Sequence, residues 1–125
     1  MRWRESGSLI EFEYCDTPEK SATGLQFRPS LPADRVLVFD DPKDGTWQMT
    51  YFHMHNVRFP IAIAGLDPNG VVLKLQRIEP ETGRFYIPRK CVRVVEMNVD
   101  FPARHGVEIG RPFPSDAPSS PDGPA

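Results

Sequence analysis

Residues 61–78 read IAIAGL-DPNG-VVLKLQRI, and this stretch decides the fold. Its centre, Asp67-Pro68-Asn69-Gly70, is a strong turn signal because Asn and Gly accept the backbone angles of a tight turn. On either side, residues 61–66 form an apolar run and residues 71–78 alternate in part between apolar and polar side chains, as strands do. Residues 61–78 therefore predict an antiparallel β-hairpin.

Upstream of the hairpin, three segments have the patterns of short strands. Alternation with period two predicts a half-buried strand, and a continuous apolar run predicts a buried one. The segments are 8–14, with Ile10, Phe12 and Tyr14 on one face; 36–39, a continuous apolar run; and 47–55, with Trp47, Met49, Tyr51, His53 and His55 on one face. Between the first two, Thr17-Pro18-Glu19 predicts the start of a short helix that ends before Pro29.

Downstream of the hairpin, residues 79–87 predict a loop, and the apolar residues 92–97 predict a central strand. Residues 98–106 fit a single helical turn that Asp100 caps and Gly106 ends. Val107 and Ile109 then predict the beginning of a last strand.

The 14 prolines fall into two populations. Nine lie between Pro18 and Pro102, and because proline cannot sit inside a helix or a central strand, their spacing excludes a long-helix protein or coiled coil. Five lie from Pro112 onward, in a segment too poor in apolar residues to fold alone. We therefore expect a mainly all-β fold, a compact antiparallel sandwich or barrel with one short N-terminal helix and one helical turn near the C-terminus. The predicted organisation is a leader over 1–7, a β-rich domain over 8–113 and a Pro/Ser-rich tail over 114–125.

Charge and apolar content exclude several classes of protein. The formal net charge is −2, which argues against nucleic acid as a partner. No apolar run approaches the roughly 20 residues of a membrane span, so no membrane partner is expected. No apolar stretch that could serve as a signal peptide follows Met1–Gly7, so we expect a cytoplasmic protein, or a virion component if it belongs to a phage assembly. Cys15 and Cys91 are expected to be buried thiols rather than a disulfide.

The order of several motifs resembles the bacterial and archaeal family known as domain of unknown function 192. The likeness runs from about residue 9 to residue 113. The matching blocks are Thr17-Pro18-Glu19 with Gly24-Leu25-Gln26-Phe27-Arg28, Ser30-Leu31-Pro32 with Asp34, Phe52-His53-Met54-His55-Asn56, Pro60-Ile61 with Ile63, Asp67 to Gly70 with Val71-Val72, Val94-Val95-Glu96, and His105-Gly106-Val107 with Ile109-Gly110.

The chain also departs from this family pattern, at positions that include polar ones. His53, His55, Val57, Ala62 and Gln26 stand where the family has Trp, Lys, Thr, Asp and Met. The resemblance implies an antiparallel β-rich fold and no established activity. It also implies that any polar site shared by the family is altered in this chain.

His53-x-His55 is the one pair that suggests a metal. On a strand, residues i and i+2 point to the same face, so both imidazoles could converge on one divalent ion. Glu96 could complete a two-His-one-carboxylate site. The alternative, which the sequence favours, is a half-exposed pair with no metal and no other cofactor.

Arg28, Asn56 and Glu96 match the family pattern and are polar residues in apolar surroundings. A buried glutamate needs a partner, and the fixed fork of an arginine suits a carboxylate. One reading is a structural clasp that orders the loop after the first helix. The other is the polar lining of a ligand cleft at one end of the sandwich.

The remaining chemistry-bearing residues favour structural roles. Cys91 has no histidine beside it in sequence, and His105 is expected to be a cap or a surface group rather than a base. A basic stretch interleaved with aromatic residues could contact phosphates, but acidic residues dilute it, and a solvated face is the preferred interpretation. That stretch comprises Arg84, Phe85, Tyr86, Arg89, Lys90, Arg93 and Arg104.

Three functions are compatible with these patterns. The preferred one is a non-catalytic binding or interaction module that has a protein partner or forms a homo-oligomer. The second is a structural subunit of a larger assembly, such as a virion or secretion particle, which docks through its Pro-rich tail with Phe113, Pro114, Pro118 and Pro121. The third is a metal-dependent enzyme that uses His53 and His55.

Overall fold

A computed structural model describes residues 2–5, 8–15, 23–40, 47 and 50–114. The predicted N-terminal helix begins at Thr17, and the predicted tail continues past Pro114; residues 16–22 and 115–125 lie outside the described residues. None of the helices in the described part is long and apolar enough to cross a membrane.

The described residues form eight strands, which make two sheets, and one short helix. The larger sheet has the order β1-β2-β3-β8-β5-β6, and the smaller one pairs β4 with β7. Every pair is antiparallel except β2 and β3, which run parallel. The elements are β1 Arg2–Glu5, β2 Ser8–Tyr14, β3 Arg35–Asp40, β4 Tyr51–His53, β5 Ile61–Leu66, β6 Val72–Ile78, β7 Arg84–Tyr86, β8 Arg93–Met97 and α1 Phe101–His105. The prediction of a mainly all-β fold is confirmed.

The predicted hairpin is formed by β5 and β6. Its turn is closed by Gly70, whose N–H donates to the Asp67 carbonyl at 2.9 Å and whose φ of 81° suits glycine. The Asp67 carboxylate accepts the N–H groups of Asn69 and Val71 at 2.8 and 3.0 Å. Because β5 lies between β6 and β8 and is covered on both sides, all of its residues are buried, as its continuous apolar sequence predicts.

The two sides of the six-stranded sheet are covered differently. We call the side covered by α1 the helix side, where the ring of Phe113 stacks on that of Phe101 at 6.0 Å. We call the other the loop side, which is covered by the two-stranded sheet and by connecting loops. Buried residues on the helix side include Ile10, Phe12, Val36, Val38, Val95, Met97 and Phe101, and those on the loop side include Leu25, Leu37, Phe39, Phe52, Met54, Ile63, Phe85 and Val94.

Short strands account for most differences from the sequence predictions. Residues 1–7 are predicted to be a leader, but Arg2–Glu5 pairs with β2 as an edge strand. The strand predicted over 47–55 is reduced to Tyr51–His53. The loop predicted over 79–87 contains β7, which pairs with β4. Such three-residue strands exist because the facing strand supplies their hydrogen bonds, which no local pattern reveals.

The end of the domain matches the prediction in part. The helical turn at Phe101–His105 is confirmed, and Gly106 ends it in the left-handed conformation. Asp100 occupies the N-cap position without a side-chain capping bond. The strand predicted from Val107 and Ile109 is wrong, since the chain there makes turns and then a single bridge between Val71 and Pro112.

Candidate functional site

Three loops meet at one place on the loop side of the sheet. The Phe27 N–H donates to the Asn56 carbonyl at 3.0 Å, and the Asn56 side-chain amide donates to the Gln26 side chain at 3.1 Å. The Asn56 N–H donates to the Glu81 carboxylate at 3.3 Å, while the Glu81 N–H donates to the Val57 carbonyl at 2.9 Å. We call this place the three-loop junction; it consists of residues 24–28, 54–58 and 79–83.

Each of the three loops contributes a residue with left-handed backbone. Phe27, Asn56 and Glu81 have φ values of 66°, 64° and 63°. Asparagine tolerates this conformation, but a residue such as phenylalanine pays roughly 1–2 kcal/mol for it. Backbone strain of this kind persists only where neighbouring structure fixes it, and it is concentrated at binding and active sites. The hydrogen bonds between the loops supply that fixation at the junction.

The side chain of Phe27 projects from the junction into solvent. It is 78% exposed, more than Ile109 and Tyr86, the other exposed large apolar residues among those whose side chains the structure describes, at 62% and 52%. Its neighbours Leu25 and Val57 are buried in the core of the loop side. The junction therefore holds an aromatic ring outward on a backbone that is tied to the core on both sides.

Arg28 pairs with Glu13 rather than with Glu96. Its guanidinium donates two hydrogen bonds to the Glu13 carboxylate, at 2.9 and 2.6 Å. These bonds raise the pKa of Arg28, although partial burial opposes the effect. The bidentate geometry ties the loop after Gly24 to β2. The predicted arginine–carboxylate clasp is present, with a carboxylate that the sequence did not single out.

Glu96 lies buried beneath the same loop. Leu37 on β3 separates it from Glu13 in the sheet register. It is 5% exposed, and its Oε1 has no hydrogen-bond partner among the described residues. Burial raises the pKa of Glu96 to about 8, while the nearby positive charge of Arg28 opposes the rise. A side chain at Gly24, whose φ is 48°, would bring its Cβ to 3.9 Å from this oxygen.

The predicted cluster of Arg28, Asn56 and Glu96 thus converges on one loop rather than on one ligand. Arg28 belongs to the loop 24–28, Asn56 is hydrogen-bonded to it, and Glu96 lies under its first residue. The three side chains make no direct contact with each other by hydrogen bond in the described structure. In this arrangement the contacts of Arg28 and Asn56 hold the loop 24–28 in place.

His53 and His55 do lie close together, but both are exposed, whereas Glu96 is buried. Their ring centroids are 6.1 Å apart, and the His55 N–H donates to Nδ1 of His53 at 3.0 Å. This bond leaves the proton of a neutral His53 on Nε2, so a metal could bind Nε2 only after the bond is lost. Across the ranges that the structure describes, no three His, Cys, Asp or Glu side chains group as metal ligands.

The remaining candidates have structural surroundings. Cys15 and Cys91 are buried thiols that do not form a disulfide, as predicted. His105 is buried rather than at the surface, and its Nε2 lies 3.0 Å from Asp34 Oδ1. This hydrogen bond lowers the pKa of Asp34, with a contribution from Arg104, although partial burial opposes it. The pair ties α1 to the turn before β3.

The four residues predicted to dock a partner divide into two groups. Phe113 is 8% exposed and belongs to the core of the helix side, so its ring stabilises the domain. Pro114 is half-buried at the end of the described chain. Pro118 and Pro121 lie outside the described residues.

Phe27 is the residue that the sequence analysis missed. Phe27 lies in the block Gly24 to Arg28, but it does not fall on the apolar face of any predicted strand or helix. A signal was available, because a large aromatic stands between Gly24 and Pro29 in a connection with no strand or helix pattern. That position predicts a turn, and binding residues are often carried by such loops.

The fold and the junction define a class of small β-rich domain in which loops and a two-stranded sheet cover one side of a six-stranded sheet. The chain belongs to the DUF192 family (Uncharacterized ACR), whose sequence model matches residues 1–113. The resemblance seen in the sequence motifs is thereby confirmed. The family is one of unknown function, so membership establishes the fold and leaves the role open.

Two solved structures are similar to this chain. A protein of unknown function from Novosphingobium aromaticivorans is 24% identical with a TM-score of 0.68, over 87% of this chain and 78% of that one. A candidate transcription regulator from Sinorhizobium meliloti is 20% identical with a TM-score of 0.67, over 87% of this chain and 85% of that one. At these identities the likeness shows a shared fold. No curated protein sequence matches the chain.

Proposed function

We propose that this domain is a non-catalytic module that binds a protein, and that Phe27 is the anchor of the contact. The observation that carries the proposal is the 78% exposure of this ring on a left-handed backbone held by two neighbouring loops. Binding residues are commonly presented by loops that a rigid scaffold positions. The three-loop junction on the six-stranded sheet has this construction.

Energetics support a binding role for the ring. An exposed phenylalanine gains no burial energy, while its left-handed backbone costs about 1–2 kcal/mol. Inserting the ring into an apolar pocket would recover roughly 2–3 kcal/mol. Because the backbone of Phe27 is already fixed by Asn56, binding would order little additional chain. Aromatic residues with these properties are enriched at the centres of protein interfaces.

A second copy of the chain is one form that the partner can take, which would make the domain a homo-oligomer or a subunit of a larger assembly. The buried position of Phe113 removes one of the four residues proposed for tail docking. The junction therefore carries the proposal, and the tail does not. The mass of a trapped complex distinguishes the two kinds of partner.

The test is site-specific photo-crosslinking in the organism that encodes the protein. The amino acid p-benzoylphenylalanine replaces Phe27 and, in a matched control, replaces Ile109, which is also exposed and apolar. The expected result is one discrete crosslinked species from position 27 and none from position 109. A doubled mass identifies a second copy, and any other mass identifies a different protein. Equal crosslinking from both positions, or none from position 27, contradicts the proposal.

A further inference from the structure

The outward face of the two-stranded sheet combines aromatic and basic side chains. Tyr51 faces Tyr86 and His53 faces Arg84 across the strand pair, so these four side chains share one face. The residues between them, Phe52 and Phe85, point inward and are buried. We call the outward set, Tyr51, His53, Arg84 and Tyr86, the ribbon face.

Contacts within the ribbon face hold its arginine in place. The Arg84 guanidinium carbon lies 4.8 Å from the centroid of the Tyr51 ring. A hydrogen bond with the Tyr86 side chain, followed by the electrostatic effect of Tyr51, raises the pKa of Arg84. The two tyrosine rings are tilted by 48° with centroids 5.4 Å apart. Arg84 is therefore oriented by two rings and still exposed to solvent.

Positive charge collects around this face although the whole chain has a formal net charge of −2. The segments that form it, 50–55 and 84–90, contain no Asp or Glu. The Lys74 ammonium donates to the Tyr86 carbonyl at 2.8 Å, which brings a second cation to its edge. Arg89 and Lys90, both exposed, follow β7 directly in the chain.

We infer that the ribbon face binds an acidic, extended peptide segment of the protein partner. The inference rests on the proposed function and adds the chemistry of the partner. Arginine and tyrosine are among the residues that contribute most at protein interfaces. The adjoining acidic residues, Glu79 and Glu81, form ion pairs with Arg77 and Arg58, so the basic charge of the ribbon face favours acidic segments. Both strands of the ribbon adjoin loops of the three-loop junction, so one partner can reach Phe27 and Arg84.

A peptide fits this face better than a nucleic acid does. Nucleic-acid strands stack their bases on open aromatic faces along a strongly basic groove. Here the Arg84 guanidinium already covers one face of Tyr51, and the second ring is tilted away from a parallel stack. The expectation that nucleic acid is not the partner is therefore retained.

The test measures fluorescence anisotropy of a labelled peptide of glutamates at low salt. The wild-type protein is expected to bind it, and Arg84→Glu is expected to weaken binding about tenfold or more. The affinity of the Arg84→Gln variant for the peptide should lie between those of the wild type and Arg84→Glu. Arg111→Glu is the charge-matched control because Arg111 is also exposed to solvent and pairs with Glu108, and it should bind as wild type does. Raising the salt to about 0.5 M should abolish binding.

Three outcomes overturn the inference. The first is no binding of the glutamate peptide by the wild-type protein, and the second is equal binding by wild type and Arg84→Glu. The third is tighter binding of an oligothymidine of the same charge than of the peptide, which would identify a nucleic-acid site. Peptide binding that depends on Arg84, together with no crosslinking from position 27, would support the ribbon face and contradict only Phe27 as the anchor.

Discussion

The helix side and the loop side of the six-stranded sheet achieve burial in different ways. On the helix side, Phe101 and Phe113 stack over the sheet, and the buried His105 has Asp34 as a partner. On the loop side, the carboxyl oxygen of Glu96 is buried without a partner among the described residues. The same side contains Phe27, whose ring is left in solvent.

The difference indicates which side of the sheet mainly stabilises the fold and which side is the better candidate for a function. A sequence selected only for stability avoids unpaired buried polar groups and left-handed residues with bulky side chains. Among the described residues, both sides contain an unpaired buried polar atom, Tyr14 Oη and His105 Nδ1 on the helix side and Glu96 Oε1 on the loop side. Phe27 and Glu81, which have left-handed backbone, lie on the loop side. Local departures of this kind are expected at functional sites. The strained backbone therefore favours the loop side as the location of the proposed binding surface.

The largest expected difference is between two phenylalanines, one from each side. Phe101→Ala removes a fully buried ring and should lower the free energy of unfolding by roughly 3–5 kcal/mol. Phe27→Ala removes an exposed ring and should change it by less than about 0.5 kcal/mol. Urea unfolding of the two variants and the wild type measures both values. A large loss of stability in Phe27→Ala would mean that its ring stabilises the domain, and the contrast would fail.

The next effect concerns Glu96 and pH. Because the pKa of Glu96 is raised to about 8 in the folded protein, the folded state binds this proton more tightly than the unfolded state does. Its contribution to stability is complete below about pH 4.5 and is lost as the pH rises through 8, a loss of a few kcal/mol. Glu96→Gln should remove this dependence. Thermal unfolding from pH 5 to pH 9 measures the effect.

The control for the pH experiment is Glu108→Gln, since the Glu108 side chain is 62% exposed. It should keep the pH dependence of the wild type. Identical pH profiles for wild type and Glu96→Gln would show that Glu96 is charged or paired in the folded protein, and the contrast between the two sides would then lose its main electrostatic element.

A smaller effect tests the strain at the junction. Asn56→Ala loses the hydrogen bond to Gln26 and places alanine at a φ of 64°, whereas Asn56→Gly loses the bond but relieves the backbone. The glycine variant should be the more stable of the two by about 1 kcal/mol. At Asn69, an exposed turn residue outside the left-handed region, the order should reverse, because glycine gains more freedom on unfolding. The same order at both positions would contradict strain at the junction.

Much of the regular structure could be predicted from the sequence. The turn at Asp67 to Gly70 has a local signal, and the runs at 36–39 and 92–97 are apolar enough to mark buried strands. The resemblance to the family then rests on motifs in a fixed order. Each of these features is determined by residues that are close together in the sequence.

The site could be predicted only in part, because its contacts join distant segments. Arg28 and Glu96 were identified as polar residues in apolar surroundings, yet the carboxylate that Arg28 pairs with is Glu13, on another strand. The left-handed backbone of Phe27 depends on the Asn56 carbonyl, which lies in a different loop. No local pattern contains this information, since tertiary contacts impose it on residues whose own propensities do not favour it.

The most direct test of the central claim uses the partner that is crosslinked at position 27. It measures how tightly two variants of the domain bind that partner. Phe27→Ala should weaken the complex about thirtyfold or more, as expected for an interface anchor, while Ile109→Ala should leave the dissociation constant within about twofold of wild type. Both variants should unfold at the wild-type temperature, because both side chains are exposed. Equal affinities for wild type and Phe27→Ala would contradict the assignment of the three-loop junction as the binding surface.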